Sequence, residues 1–134
     1  MIKLTPTLVL FASVCVSCAR AEPQATETTV WRPLGNWSGR GLLQTDPFIS
    51  DSGLLRVTWE ARNASSDDGT LRIALHSDVS GRFLAQVVDH RGAGRDVAFV
   101  NEDPRAFFLV IESAKLDWSV EVAEGVAATR PPAR

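Results

Sequence analysis

Apolar and polar residues alternate with a period of two in three separated stretches of the chain. In 54–62, Leu55, Val57, Trp59 and Ala61 take one phase, and Arg56, Thr58, Glu60 and Arg62 take the other. In 70–76, Leu71, Ile73 and Leu75 alternate with Thr70, Arg72, Ala74 and His76. In 117–123, Trp118, Val120 and Val122 alternate with Asp117, Ser119, Glu121 and Ala123. Successive side chains of a strand point to opposite faces, so each stretch predicts a strand with one face in a core and one in water. Turn formers punctuate the chain at Ser52-Gly53, Ser66-Asp67-Asp68-Gly69, Asp78 to Gly81, Arg91 to Gly94 and Asn101 to Pro104. No stretch carries a capped helical period. The pattern predicts strands over 39–45, 47–51, 54–62, 70–77, 82–89, 95–100, 106–113 and 117–123. Two packed sheets bury such faces best, so the expected class is all-β, a two-layer antiparallel β-sandwich of about 7–8 strands.

Two stretches do not alternate. Phe107-Phe108-Leu109-Val110-Ile111 is apolar in both phases, and Phe83-Leu84-Ala85-Gln86-Val87-Val88 nearly so. One reading makes them central strands shielded on the second face by a loop or by the Trp31/Trp37 segment. The other leaves an exposed apolar strip of Phe83, Ala85, Val87, Phe107, Leu109 and Ile111, used for self-association or for a protein partner.

The first residues read as an address. Lys3 precedes the apolar run Leu8 to Val16, and small residues follow, which is the layout of a secretory signal peptide. Arg20 and Glu22 stop the run well short of the roughly 20 residues that cross a bilayer. Two cleavage points fit. Ala19-Arg20-Ala21 suits a cut before Glu22. Val14-Cys15-Val16-Ser17-Cys18 resembles a bacterial lipobox, which implies a cut before Cys18 and acylation of its sulfur. On this reading 1–18 is the signal, 19–30 a flexible tether, 31–124 the sandwich and 125–134 a disordered tail. The expected place is the cell envelope, as a periplasmic or outer-membrane lipoprotein anchored through its lipid, with free secretion as the alternative.

Processing changes the charge. The 134 residues carry 16 acids against 14 Lys+Arg. A cut before Glu22 removes Lys3 and Arg20, leaving 12 bases and −4; a cut before Cys18 removes Lys3 alone and leaves −3. Both values argue against nucleic acid as a partner, which needs a basic excess. Neither cysteine remains for a disulfide in the folded domain, whose core is large enough without one.

The segment from Asp103 to Ser113, followed by Asp117-Trp118-Ser119-Val120-Glu121-Val122, resembles the closing hairpin of bacterial pre-peptidase C-terminal domains and of CUB-like sandwiches. In both, a turn leads into an aromatic-aliphatic strand and then an aromatic-initiated final strand. Phe48 and Leu55-x-Val57-x-Trp59 are compatible, and the resemblance spans roughly residues 36–123. The Gly-Thr-Tyr start usual for the penultimate strand is missing, and the chain has no tyrosine. The resemblance implies a jelly-roll-like or CUB-like, non-catalytic accessory or binding domain. The calcium sites of some such domains have no residue-by-residue match here.

Candidate chemistry is sparse. No Gly-x-Ser-x-Gly elbow occurs, and His76 and His90 are the only histidines. No cysteine cluster or close histidine pair suggests zinc. Asp46, Asp67 and Asp68 are the calcium candidates, as loop carboxylates, although Asp67-Asp68-Gly69 also makes a good turn by itself. Trp59 and Trp118 fall in the inward phase, whereas Trp37 beside Ser38-Gly39 is a candidate ligand surface. Arg91, Arg95 and Arg105 approach two predicted loops, with Asp89, Asp96, Glu102 and Asp103 beside them. The expected function is a non-enzymatic, exported interaction module that needs no cofactor. A carbohydrate- or calcium-binding accessory domain is the alternative, with a small hydrolase or enzyme inhibitor behind it.

Overall fold

A computed structural model describes residues 26–63 and 68–131. They form nine strands and no helix: β1 (Thr26–Arg40), β2 (Leu43–Gln44), β3 (Phe48–Ser50), β4 (Leu54–Arg62), β5 (Thr70–Ser77), β6 (Phe83–Arg91), β7 (Gly94–Asn101), β8 (Arg105–Ala114) and β9 (Asp117–Arg130). One sheet has the order β1-β9-β4-β7, and the other β2-β8-β5-β6 with β3 also on β8. Every pairing is antiparallel. The two sheets pack face to face as a β-sandwich.

The alternating stretches set the core. Leu55 and Val57 of β4, Leu71, Ile73 and Leu75 of β5, and Val122 of β9 have no exposed surface, and Trp118 and Val120 almost none. Their partners in the outward phase lie at the surface or half-buried, except Ala123, which is buried. The chain changes sheet after β1, β3, β4, β6, β7 and β8, so sequence neighbours supply both walls of one core. The edge strands β6 and β7 are joined through Gly92 at φ +80°, the left-handed region that favours glycine.

The structure departs from the pattern at both ends. Residues 26–30, expected within the tether, are strand and pair with 126–130, expected within the tail. Thr26, Glu27, Thr28, Thr29 and Val30 are exposed. They form a two-stranded ribbon past the start of β4, so no buried face imposes alternation, and only β-branched content marks the strand. The strand expected over 39–45 is broken at Gly41, where φ is +87°. Cys18 and the rest of 1–25 lie outside the described residues.

Candidate functional site

The outer face of the β1-β9-β4-β7 sheet carries an open groove of about 630 Å³. Strand register builds it from transverse rows. Asn36 lies opposite Glu121, Glu121 opposite Thr58, and Thr58 opposite Val97. The next row is Ser38, Ser119, Glu60 and Arg95. Except for Val97 these side chains are polar and line the groove. Short side chains at Ser38, Thr58 and Ser119 leave the middle hollow, while Glu60, Glu121 and Arg95 reach further out. Arg62 donates to the Ser119 hydroxyl at 3.2 Å and lies 3.9 Å from the Glu60 carboxylate.

Two different rows flank the groove. On one side Ala123, Arg56 and Phe99 share a row. The Trp31 ring stands 5.8 Å from Phe99 and carries the Arg56 guanidinium 4.7 Å from its centre. Phe99 is 63% exposed. This aromatic ledge is two residues further along each strand, about 7 Å. On the other side, Asp117 accepts from Asn63 at 2.8 Å and Arg40 at 2.9 Å. The Asn63 amide and the Arg40 guanidinium hold the Asp117 carboxyl below its usual range.

The opposite outer face, on the β8-β5-β6 side, is apolar toward one end. His76 of β5 stacks on Phe108 at 5.1 Å and meets Phe83 edge-on at 5.8 Å. Val110 and Ala74 form the next row, and exposed Ile49 lies opposite Ala106.

Several expected positions move. Phe107, Leu109 and Ile111 are core residues with 0% exposure, not part of an exposed strip. They face the phase of Leu71, Ile73 and Leu75, which leaves Phe108 and Val110 outward. Phe83 is 52% exposed. Ala85 and Val87 are half-buried, with Val87 packed on the core. Trp37 turns inward and packs at 5.8 Å on Phe48. Its indole crosses Gly35, where an added Cβ would sit 2.6 Å from the ring. Trp37 therefore contributes to the groove floor and is not a free stacking platform.

The loop residues do not converge. Asp46 is exposed, Asp67 lies outside the described residues, and Asp68 is held by Lys115. That lysine's hydrogen bond lowers the Asp68 carboxyl. Among the described residues no three His, Cys, Asp or Glu side chains gather as a metal site. Arg95 lines the groove, whereas Arg105 opens β8 at the other end of the sandwich, opposite Ser50.

Glu124 went unnoticed in the sequence. Its side chain has no exposed surface and sits between the sheets' ends. One oxygen accepts from Arg32 Nε at 2.7 Å and from Arg32 Nη2. The other accepts from the Ser50 hydroxyl and the Asp51 amide, each at 2.8 Å, and from the Ser52 amide at 3.2 Å. Burial pushes this carboxyl up, but the Ser50, Arg32, Ser52 and Asp51 donors outweigh it and bring it to about 2. The cluster ties β9 to β1 and to the β3–β4 turn. Val122-Ala123-Glu124-Gly125 alone hid it, because a carboxylate in a strand ordinarily reads as outward.

No protein-family model matches the chain, and no curated protein matches it. Among the described residues no helix is long and apolar enough to cross a membrane.

Proposed function

We propose that this chain is an exported, non-enzymatic binding module of the cell envelope, tethered through an acylated Cys18, with its ligand seat on the outer face of the β1-β9-β4-β7 sheet. The observation that carries the reading is the groove, in which four strands aim hydroxyl, amide, carboxylate and guanidinium groups into one open hollow. A concave surface with several convergent polar groups is where binding is expected. The N-terminal pattern supports the tether. The seven residues 19–25 between Cys18 and the first described strand span at most about 25 Å when fully extended. The domain would stay close to the membrane.

Hydrogen exchange tests the seat. With the membrane-extracted protein mixed with a solubilised envelope fraction, amides in 56–60, 95–99 and 119–123 gain protection. Protection confined to β5, β6 and β8, or none, overturns the assignment. Intact mass of the extracted protein tests the tether. A lipid adduct on a chain starting at Cys18 supports it. A chain starting at Glu22, or a Cys18→Ala variant still in the membrane fraction, overturns it.

A second reading, contact with another protein or a second copy, is favoured by the Phe108, His76 and Phe83 row with Ile49 beside it. Phe83→Glu would then abolish concentration-dependent association in sedimentation. A wild-type protein that stays monomeric at high concentration excludes self-association.

A further inference from the structure

We infer that the groove's occupant is an uncharged oligosaccharide, held by its hydroxyls in the polar rows and stacked by one ring face on the Phe99 ledge. The inference rests on the proposed seat and names its ligand class.

Four observations lead there. First, the lining offers the complement of a polyol. Glu60 and Glu121 are acceptors able to take paired hydroxyl donors, Asn36 offers both an acceptor and donors, and Ser38, Thr58 and Ser119 offer both roles. Second, an aromatic face lies one row away. Phe99 is largely exposed, and Trp31, which carries Arg56 over its ring, packs beside it. A sugar unit set over the ring would present its apolar C–H face there while the next unit's hydroxyls enter the groove.

Third, the two strands under the middle of the groove, β9 and β4, pair on both sides within the sheet, and the unpaired edges of β1 and β7 lie at its margins. A peptide binding by strand addition needs an unpaired edge, so an occupant of the middle has to be recognised through side chains. Fourth, the groove carboxylates of Glu60 and Glu121 are matched by the guanidinium of Arg95 in the lining and by that of Arg62, which lies 3.9 Å from Glu60 and donates to Ser119. A polyanion or polycation would find no net charge to pair with there, and an apolar small molecule would lack the enclosed apolar pocket it needs.

Isothermal titration of the full exported protein with chitotetraose, cellotetraose and mannotetraose is the test. Saturable binding of at least one is expected, and the oligosaccharide should be recovered uncleaved. Phe99→Ala and Glu121→Gln should each weaken that binding about tenfold or more, the scale of losing a ring contact or a charge-assisted hydrogen bond. Val79→Ala, in the exposed β5–β6 turn of the opposite sheet, should leave it unchanged. Phe99 and Glu121 are both exposed, so unchanged melting temperatures will show that the variants fold.

No saturable heat with any of the three up to about 10 mM, beyond the millimolar range of weak recognition, overturns the inference. So does binding that Val79→Ala removes and Phe99→Ala leaves intact. If the envelope fraction protects 56–60 and 119–123 while all three sugars fail, the seat stands and the saccharide falls. If neither occurs, both fall. Cleavage of the sugar would overturn the non-enzymatic assignment instead.

Discussion

Replacing Glu124 with glutamine removes the charge at a buried carboxylate that joins three parts of the chain. The native carboxyl is lowered from 4.5 to about 2. At about 1.4 kcal/mol per unit, this difference amounts to about 2–3 kcal/mol once screening at half-exposed Arg32 is allowed for. The folded value lies below the unfolded one, so the contribution is fully present above about pH 5. It is lost as the pH falls toward 2, because the unfolded chain takes up the proton first. In Glu124→Gln the amide nitrogen has to face Arg32 or the Ser50, Asp51 and Ser52 donors, which leaves donor against donor in a buried site.

Urea unfolding at intervals from pH 7 to pH 2.5 measures the effect. The variant should be less stable by at least about 2 kcal/mol at pH 7. The gap should narrow steadily below pH 5. Asp68 and Asp117 are also lowered, by Lys115 and by Asn63 with Arg40, but neither shares a partner with Glu124. Their titration therefore runs equally in both proteins and cancels in the difference. Parallel stability curves over the whole pH range would refute the assignment of this acid sensitivity to Glu124.

Gly53→Ala should cost about 3 kcal/mol or more. Gly53 has φ +74°, and an added Cβ would stand 1.8 Å from the Glu102 carbonyl oxygen; thermal melting of the variant checks this. Leu109→Ala should cost about 2–5 kcal/mol, as for a buried leucine, and its half-buried neighbour Val110→Ala clearly less, with denaturant midpoints as the readout. Deleting 125–134 should strip hydrogen-exchange protection from 26–30 while protection in β4 and β5 persists, because a two-stranded ribbon is marginal without its partner.

The sequence determined the class and most of the strands. Where one phase is apolar and the other charged, as in Leu55-Arg56-Val57-Thr58-Trp59, transfer of apolar surface out of water leaves one choice of face, and the structure adopts it. Turn residues set the breaks for the same local reasons, with Gly53 and Gly92 at positive φ. Tertiary structure decided what local pattern left open. In Phe107-Phe108-Leu109-Val110-Ile111 both phases are apolar, and a shift of one residue would exchange the faces. Pairing with β5 chose, burying 107, 109 and 111 and leaving 108 and 110 outside. The groove brings Asn36, Thr58, Arg95 and Glu121 together from four strands. Separately they are ordinary outward polar residues, and only strand order and register make them neighbours. Glu124 is the limiting case. Its burial is tolerable only because Arg32, 92 residues earlier, and the 50–52 turn supply its donors, and no period along the chain encodes a meeting at that distance.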